Sequence, residues 1–103
     1  MQFQDIKDNL PLLSIDCEQL LNVVRKMGIR ALGGKGSAAY KDRSIRSELY
    51  FDIHSQLKRE FGIRSYKEIK RSQLETAIKI VEKYEKPFIL RDQILLLNNQ
   101  ITI

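Results

Sequence analysis

The side chains best suited to chemistry are few and far apart in this chain. His54 is the only histidine and Cys17 the only cysteine. A nucleophilic centre needs a thiol or hydroxyl beside a base, and a structural zinc site needs four converging ligands. One histidine and one cysteine meet neither requirement unaided. Cys17 opens an apolar helical stretch, where a buried, inert thiol is expected. His54 lies at the edge of a second such stretch and reads as a hydrogen-bonded structural residue. No paired-carboxylate, Ser-His or metal-spaced motif occurs. The cluster Gly33-Gly34-Lys35-Gly36-Ser37 invites comparison with a phosphate-cradling loop, which needs Gly, four residues, then Gly-Lys and Ser or Thr. Here Ile29 holds the first glycine position and Gly36 follows Lys35. The expectation is a protein that is not an enzyme, with no cofactor or metal, acting by binding another macromolecule.

The distribution of charge indicates what it binds. Lys and Arg number 18 against 13 Asp and Glu, a formal charge of +5. Residues 1–24 carry a net −3, residues 25–71 a net +8, and residues 72–103 a net zero. A concentrated basic block draws polyanions, nucleic acid being the commonest. Within it Lys35, Lys41, Arg43, Lys58, Arg59, Arg64, Lys67, Lys70 and Arg71 are placed to face outward. Lys35 to Tyr40 offers a flexible loop with a cation, the Ser37 hydroxyl and the Tyr40 ring, able to follow a phosphate backbone. Arg46 falls within an apolar arc, so it sits at the margin of the core or points at a partner. A plainer reading of Lys58-Arg59 and Lys70-Arg71 is that cations favour helix C-terminal ends. Tyr66 and Ile69 read as core anchors.

The elements carrying these residues read as a single, mainly α domain of about four helices with a Gly-rich loop. There is room for a short strand pair near the N-terminus. Its parts are an acidic N-terminal helix within 1–32, a basic loop and helices over 33–71, and C-terminal helices over 72–103. Asp16 is placed to cap the first helix, with Gln19 as capping-box partner, and Gly28 to end it. Ile29 to Leu32 then forms a strand or extended link. A second helix starts between Asp42 and Ser44 and stops at Gly62. Its junction with the next segment, across Gly62-Ile63, has the length of a helix-turn-helix connection. Ser65-Tyr66-Lys67-Glu68 and Ser72-Gln73-Leu74-Glu75 match the capping box, and Pro87 forces a break. In the tail, Leu90, Ile94, Leu97 and Ile101 have the spacing of a coiled-coil seam and are candidates for self-association. A helix to about residue 98 is favoured over a hairpin turned at Asn98-Asn99. The N-terminus lacks the layout of a signal peptide, and no apolar run approaches the ~20 residues of a membrane span, so the expected location is cytoplasmic.

A resemblance adds to this reading. Gly33-Gly34-Lys35-Gly36-Ser37-Ala38-Ala39-Tyr40-Lys41 resembles the conserved loop of bacteriophage antirepressor proteins. So do Asp52-Ile53, Leu57-Lys58-Arg59-Glu60-Phe61-Gly62-Ile63 and Ser65-Tyr66-Lys67-Glu68-Ile69-Lys70-Arg71. Ala77-Ile78, Ile80-Val81-Glu82-Lys83-Tyr84 and Pro87 are similar to the end of the same C-terminal domain. Leu12 to Gly28 resembles the segment preceding the loop. Ala38 stands where many relatives have proline. The resemblance implies a phage or prophage regulator that relieves repression by engaging a repressor, DNA, or both, without catalytic residues. The resemblance also implies that relatives often carry an additional N-terminal domain contributing DNA binding. This chain is expected to lack it, and to be a truncated regulator or a module that sequesters a host or phage factor without contacting nucleic acid.

Overall fold

The protein is described by a computed structural model covering residues 9–99. Five α-helices appear among these residues: α1 (Ser14–Leu32), α2 (Ala38–Lys41), α3 (Arg43–Phe61), α4 (Leu74–Glu82) and α5 (Phe88–Asn98). Two 3-10 turns, Tyr66–Glu68 and Arg71–Gln73, join α3 to α4. The core gathers one stripe from each long helix: Leu20, Val24 and Leu32 of α1, Leu49, Ile53 and Leu57 of α3, Ala77 and Val81 of α4, and Leu90 and Ile94 of α5. Within each helix these positions are four or eight residues apart, on one helical face, which is why the apolar periodicity foretold the helical class. No described helix is long and apolar enough to cross a membrane.

α1 departs from expectation at both ends. It begins at Ser14, and Asp16 occupies the third helical position, where its carboxylate accepts the Leu13 N–H at 3.1 Å. That is the backward half of a capping box, and it sets a negative charge at the positive end of the helix. Gly28 does not stop the helix, which runs four residues further to Leu32. Residues 29–32 are thus its last turn, and no strand forms among the described residues. The stop is Gly33, at φ 102°, donating to the Arg30 carbonyl at 3.1 Å while Gly34 donates to the Ile29 carbonyl at 2.9 Å. This paired closure is the Schellman motif. Gly28 serves packing instead: a Cβ there would overlap the Tyr50 ring of α3, whose hydroxyl donates to the Arg25 carbonyl at 3.3 Å.

α3 follows expectation closely. The Asp42 carboxylate accepts the Ile45 N–H at 3.1 Å to cap its start, and Gly62, at φ 63°, ends it. The supposed helix-turn-helix does not form. Beyond Gly62 the chain makes only the 3-10 turn Tyr66–Glu68, in which the Glu68 carboxylate accepts the Ser65 N–H at 3.0 Å and the Arg64 N–H at 2.7 Å. The Ser72 box is also absent. Gln73 accepts the Lys70 N–H at 3.0 Å, and α4 begins one residue later. The nearest approach to a strand pair is a single antiparallel bridge between Pro11 and Lys70, flanked by Leu12 N–H to Ile69 and Arg71 N–H to Leu10 bonds.

The tail forms α5, which reaches Asn98 as favoured, and Pro87 stands immediately before it. Asn98 is a latch. Its amide nitrogen donates to the Leu32 carbonyl at 2.8 Å, and its amide oxygen accepts the Ala39 N–H at 2.9 Å. The end of α5 is thereby fixed to the last residue of α1 and the first turn of α2. Nearby, the Lys86 ammonium donates to the Ala31 carbonyl at 2.7 Å, another free acceptor at the end of α1. Two residues before Lys86, the buried Tyr84 phenol donates to the Asp52 carboxylate at 2.7 Å. Burial and this bond raise the phenol's pKa far above its ordinary value.

Two substitutions test the packing. Gly28→Ala displaces Tyr50 and is expected to cost about 1–3 kcal/mol in urea unfolding. In a Tyr50→Ala background the same change stabilises the helix by up to about 1 kcal/mol, because alanine is the better helix former. Asn98→Ala strands the Ala39 N–H, leaves the Leu32 carbonyl to the Ser37 hydroxyl alone, and is expected to cost about 1–3 kcal/mol in the same assay.

Candidate nucleic-acid interface

The basic residues separate into two groups at opposite ends of α3. Lys35, Lys41 and Arg43 lie on the turn after α1, on α2 and at the start of α3, and all three are exposed. Lys58 and Arg59 lie in the last turn of α3, with Arg64, Lys67 and Lys70 on the segment that follows; Lys58 is half-buried and the rest are exposed. Arg43 and Lys58, fifteen residues apart on one helix, stand about 22 Å apart along its axis and about 60° apart around it. The two groups therefore flank one long helical edge.

These cations are not cancelled by acids. Among the described residues the only ion pair joins Lys79 and Glu75, outside both groups. The neighbouring carboxylates of Asp42 and Glu68 each accept backbone N–H groups through one oxygen, and Glu60, beside Arg59, forms no ion pair among the described residues. Positive potential is left facing water, where it attracts phosphate at a range of about 8–10 Å in ordinary salt.

Four of the expected binding residues turn inward. The Ser37 hydroxyl lies within hydrogen-bonding distance of the Leu32 and Gly34 carbonyls, at 2.9 and 2.8 Å, and accepts the Tyr40 N–H at 3.1 Å. It caps α2 and has no spare capacity for a phosphate. Tyr40 packs against the core, and the Arg46 guanidinium lies 5.5 Å from its ring centroid while donating to its carbonyl at 2.9 Å. Arg46 is thus a core-margin residue, and its cation–π contact holds the loop to α3. Arg71 donates from Nε to the Pro11 carbonyl at 3.1 Å, tying down the segment before α1. The residues left outward are Lys35, Lys41, Arg43, Lys58, Arg59, Arg64, Lys67 and Lys70.

The self-association seam is also redirected. Leu90 and Ile94 are 5 % and 3 % exposed, and Leu97 packs beside them, so these residues are occupied by the chain's own core. Ile101 lies outside the described residues. The apolar side chains that α5 does expose are Phe88, Ile89, Leu95 and Leu96. The sequence carried a signal for this, because eight of the eleven residues Phe88–Asn98 other than Arg91, Asp92 and Gln93 include seven apolar ones, more than a single buried stripe needs.

His54 faces Tyr66 with ring centroids 5.1 Å apart at 58°. This contact seats the 3-10 turn, with Ile69 fully buried beyond it. Cys17 is half-buried and unpaired with any other thiol.

Burial holds the His54 pKa below the ordinary 6.5, and the Lys58 ammonium lowers it further. The unfolded chain therefore takes up a proton first as pH falls. The stability linked to neutral His54 is intact above about pH 6.5 and is lost as pH drops through that value. Melting temperature is expected to decline between about pH 7 and pH 5, with a shallower slope in a His54→Gln variant.

Comparison with known proteins identifies the group. Residues 1–94 match the ORF6C domain, a domain found in phage antirepressor-type proteins, and the chain belongs to that family. No curated protein and no solved structure matches it.

Proposed function

We propose that this ORF6C-domain chain is a phage-type transcription regulator that contacts DNA through the two cationic groups flanking α3. The observation that carries the reading is their lack of acidic partners across a helix of 19 residues. The spacing of about 22 Å along α3 corresponds to roughly two-thirds of a duplex turn, so both groups can reach phosphates of one DNA. The segment directly after Gly62 makes a 3-10 turn, Tyr66–Glu68, in place of a recognition helix, which favours phosphate contacts over base readout. The reading involves no catalytic step and no cofactor, and it assigns the protein to the cytoplasm with its DNA. An acidic face of a repressor protein would meet the same cations, and the salt test below separates the two.

Anisotropy titration of a labelled duplex should show affinity falling linearly with salt on logarithmic axes, with a slope near −4 to −5 for about 4–6 phosphate contacts. Replacing Lys35, Lys41 and Arg43 with Ala should reduce the slope by about 2–3, and replacing Lys58, Arg59, Lys67 and Lys70 by a similar amount. Absence of duplex binding at low salt, alongside recovery of a stoichiometric acidic protein without nucleic acid, would transfer the surface to a repressor.

A further inference from the structure

One face of the molecule runs against its overall charge. Phe88, Ile89 and Leu96 of α5 are 79 %, 68 % and 69 % exposed, and Phe51 of α3 is 75 % exposed. A helix that is apolar on both sides is covered on both sides in a stable assembly, and exposed apolar area gathered in this way marks an interaction surface. Phe51 and Ile89 line a cavity of about 560 Å³ between α3 and α5. Leu96 lines a second, of about 320 Å³, and Gln93 borders both, so the two adjoin.

The margin of this trough is acidic. Glu48 and Asp52 line the first cavity, Asp42 the second, and Asp92 an adjoining one that shares Leu96. No Lys or Arg lines any of the three, although cations outnumber acids 18 to 13 in the chain. Gln93 adds a buried side-chain oxygen without a hydrogen-bond partner. A rotation of that side chain brings the acceptor to an incoming donor.

We infer that this trough docks a cationic amphipathic helix of a partner protein. Its apolar side chains lie against Phe51, Ile89 and Leu96, and its Lys or Arg residues face Glu48, Asp52 and Asp92. The charge selects this occupant over the others. Nucleic acid is repelled by four carboxylates. A second copy docked face to face about a two-fold axis sets the same acidic patch against itself. A helix laid in an apolar groove with flanking charge is an established mode of peptide recognition. The inference does not rest on the DNA reading, because it uses a different surface of opposite sign.

The test uses the full chain and a labelled synthetic helix of about 18 residues, with Leu at helical spacing and Lys on its flanks, beside a twin bearing Glu for Lys. The Lys peptide is expected to bind at least about tenfold more tightly than its twin. Phe51→Ser with Leu96→Ser should weaken it by at least about tenfold, with circular dichroism unchanged because both side chains are exposed. Glu48→Lys with Asp92→Lys should reverse the preference toward the Glu twin. Equal binding of the two peptides, or binding indifferent to the loss of Phe51 and Leu96, overturns the proposal. So does a dimer in light scattering that the same serine substitutions abolish, which assigns the face to a second copy. Failure of duplex binding with the peptide preference intact removes only the DNA reading.

Discussion

The fold closes through one carboxamide. Asn98, at the end of α5, satisfies the Leu32 carbonyl at the end of α1 and the Ala39 N–H in the first turn of α2. Helix ends leave backbone groups without intrahelical partners, and here two of them meet a side chain with one donor and one acceptor to match. Gly33 makes the approach feasible: it adopts φ 102°, and a Cβ on it would press within 2.7 Å of the Asn98 nitrogen. The same Leu32 carbonyl lies within reach of the Ser37 hydroxyl. The glycine turn is thus anchored at both sides, and Lys35 is presented from a fixed frame.

That anchoring explains how the charges are displayed. α3 is capped by Asp42 at one end and closed by Gly62 at the other, so its length sets the separation of the two cationic groups. Acids that might have neutralised them are engaged as caps by backbone N–H groups. Of the acids on α3, Glu48 and Asp52 border the apolar trough shared with α5, while Glu60 lies in the last turn beside Lys58 and Arg59. One helix therefore divides two surfaces of opposite sign.

Much of the fold was legible from local signals. The α3 boundaries followed from Asp42 and Gly62, and the turn at Ser65 from its matching Glu68, because caps act within a few residues of chain. The ends of α1 were misread because Gly28 looked like a terminator, when its role is set by Tyr50, 22 residues away in sequence. Asn98 resembled a hairpin turn residue for the same reason: its partners are 59 and 66 residues distant. The candidate site was legible in composition and less so in geometry. Lys and Arg clustering marked the basic block, but the sequence left open that Ser37, as the cap of α2, and Tyr40, Arg46 and Arg71, through their contacts, serve the fold. The acid-rimmed trough was invisible, since Glu48, Asp52 and Asp92 come together only when α3 packs on α5.

The proposed role places DNA phosphates at the two cationic ends of α3. Amide chemical shifts followed during titration with a short duplex test it most directly. Perturbations are expected at Lys35, Lys41, Arg43 and Lys58 through Lys70, with little change at Phe51, Ile89 and Leu96. Perturbations concentrated on α5 and its groove with α3, and absent from the lysines and arginines, would contradict it.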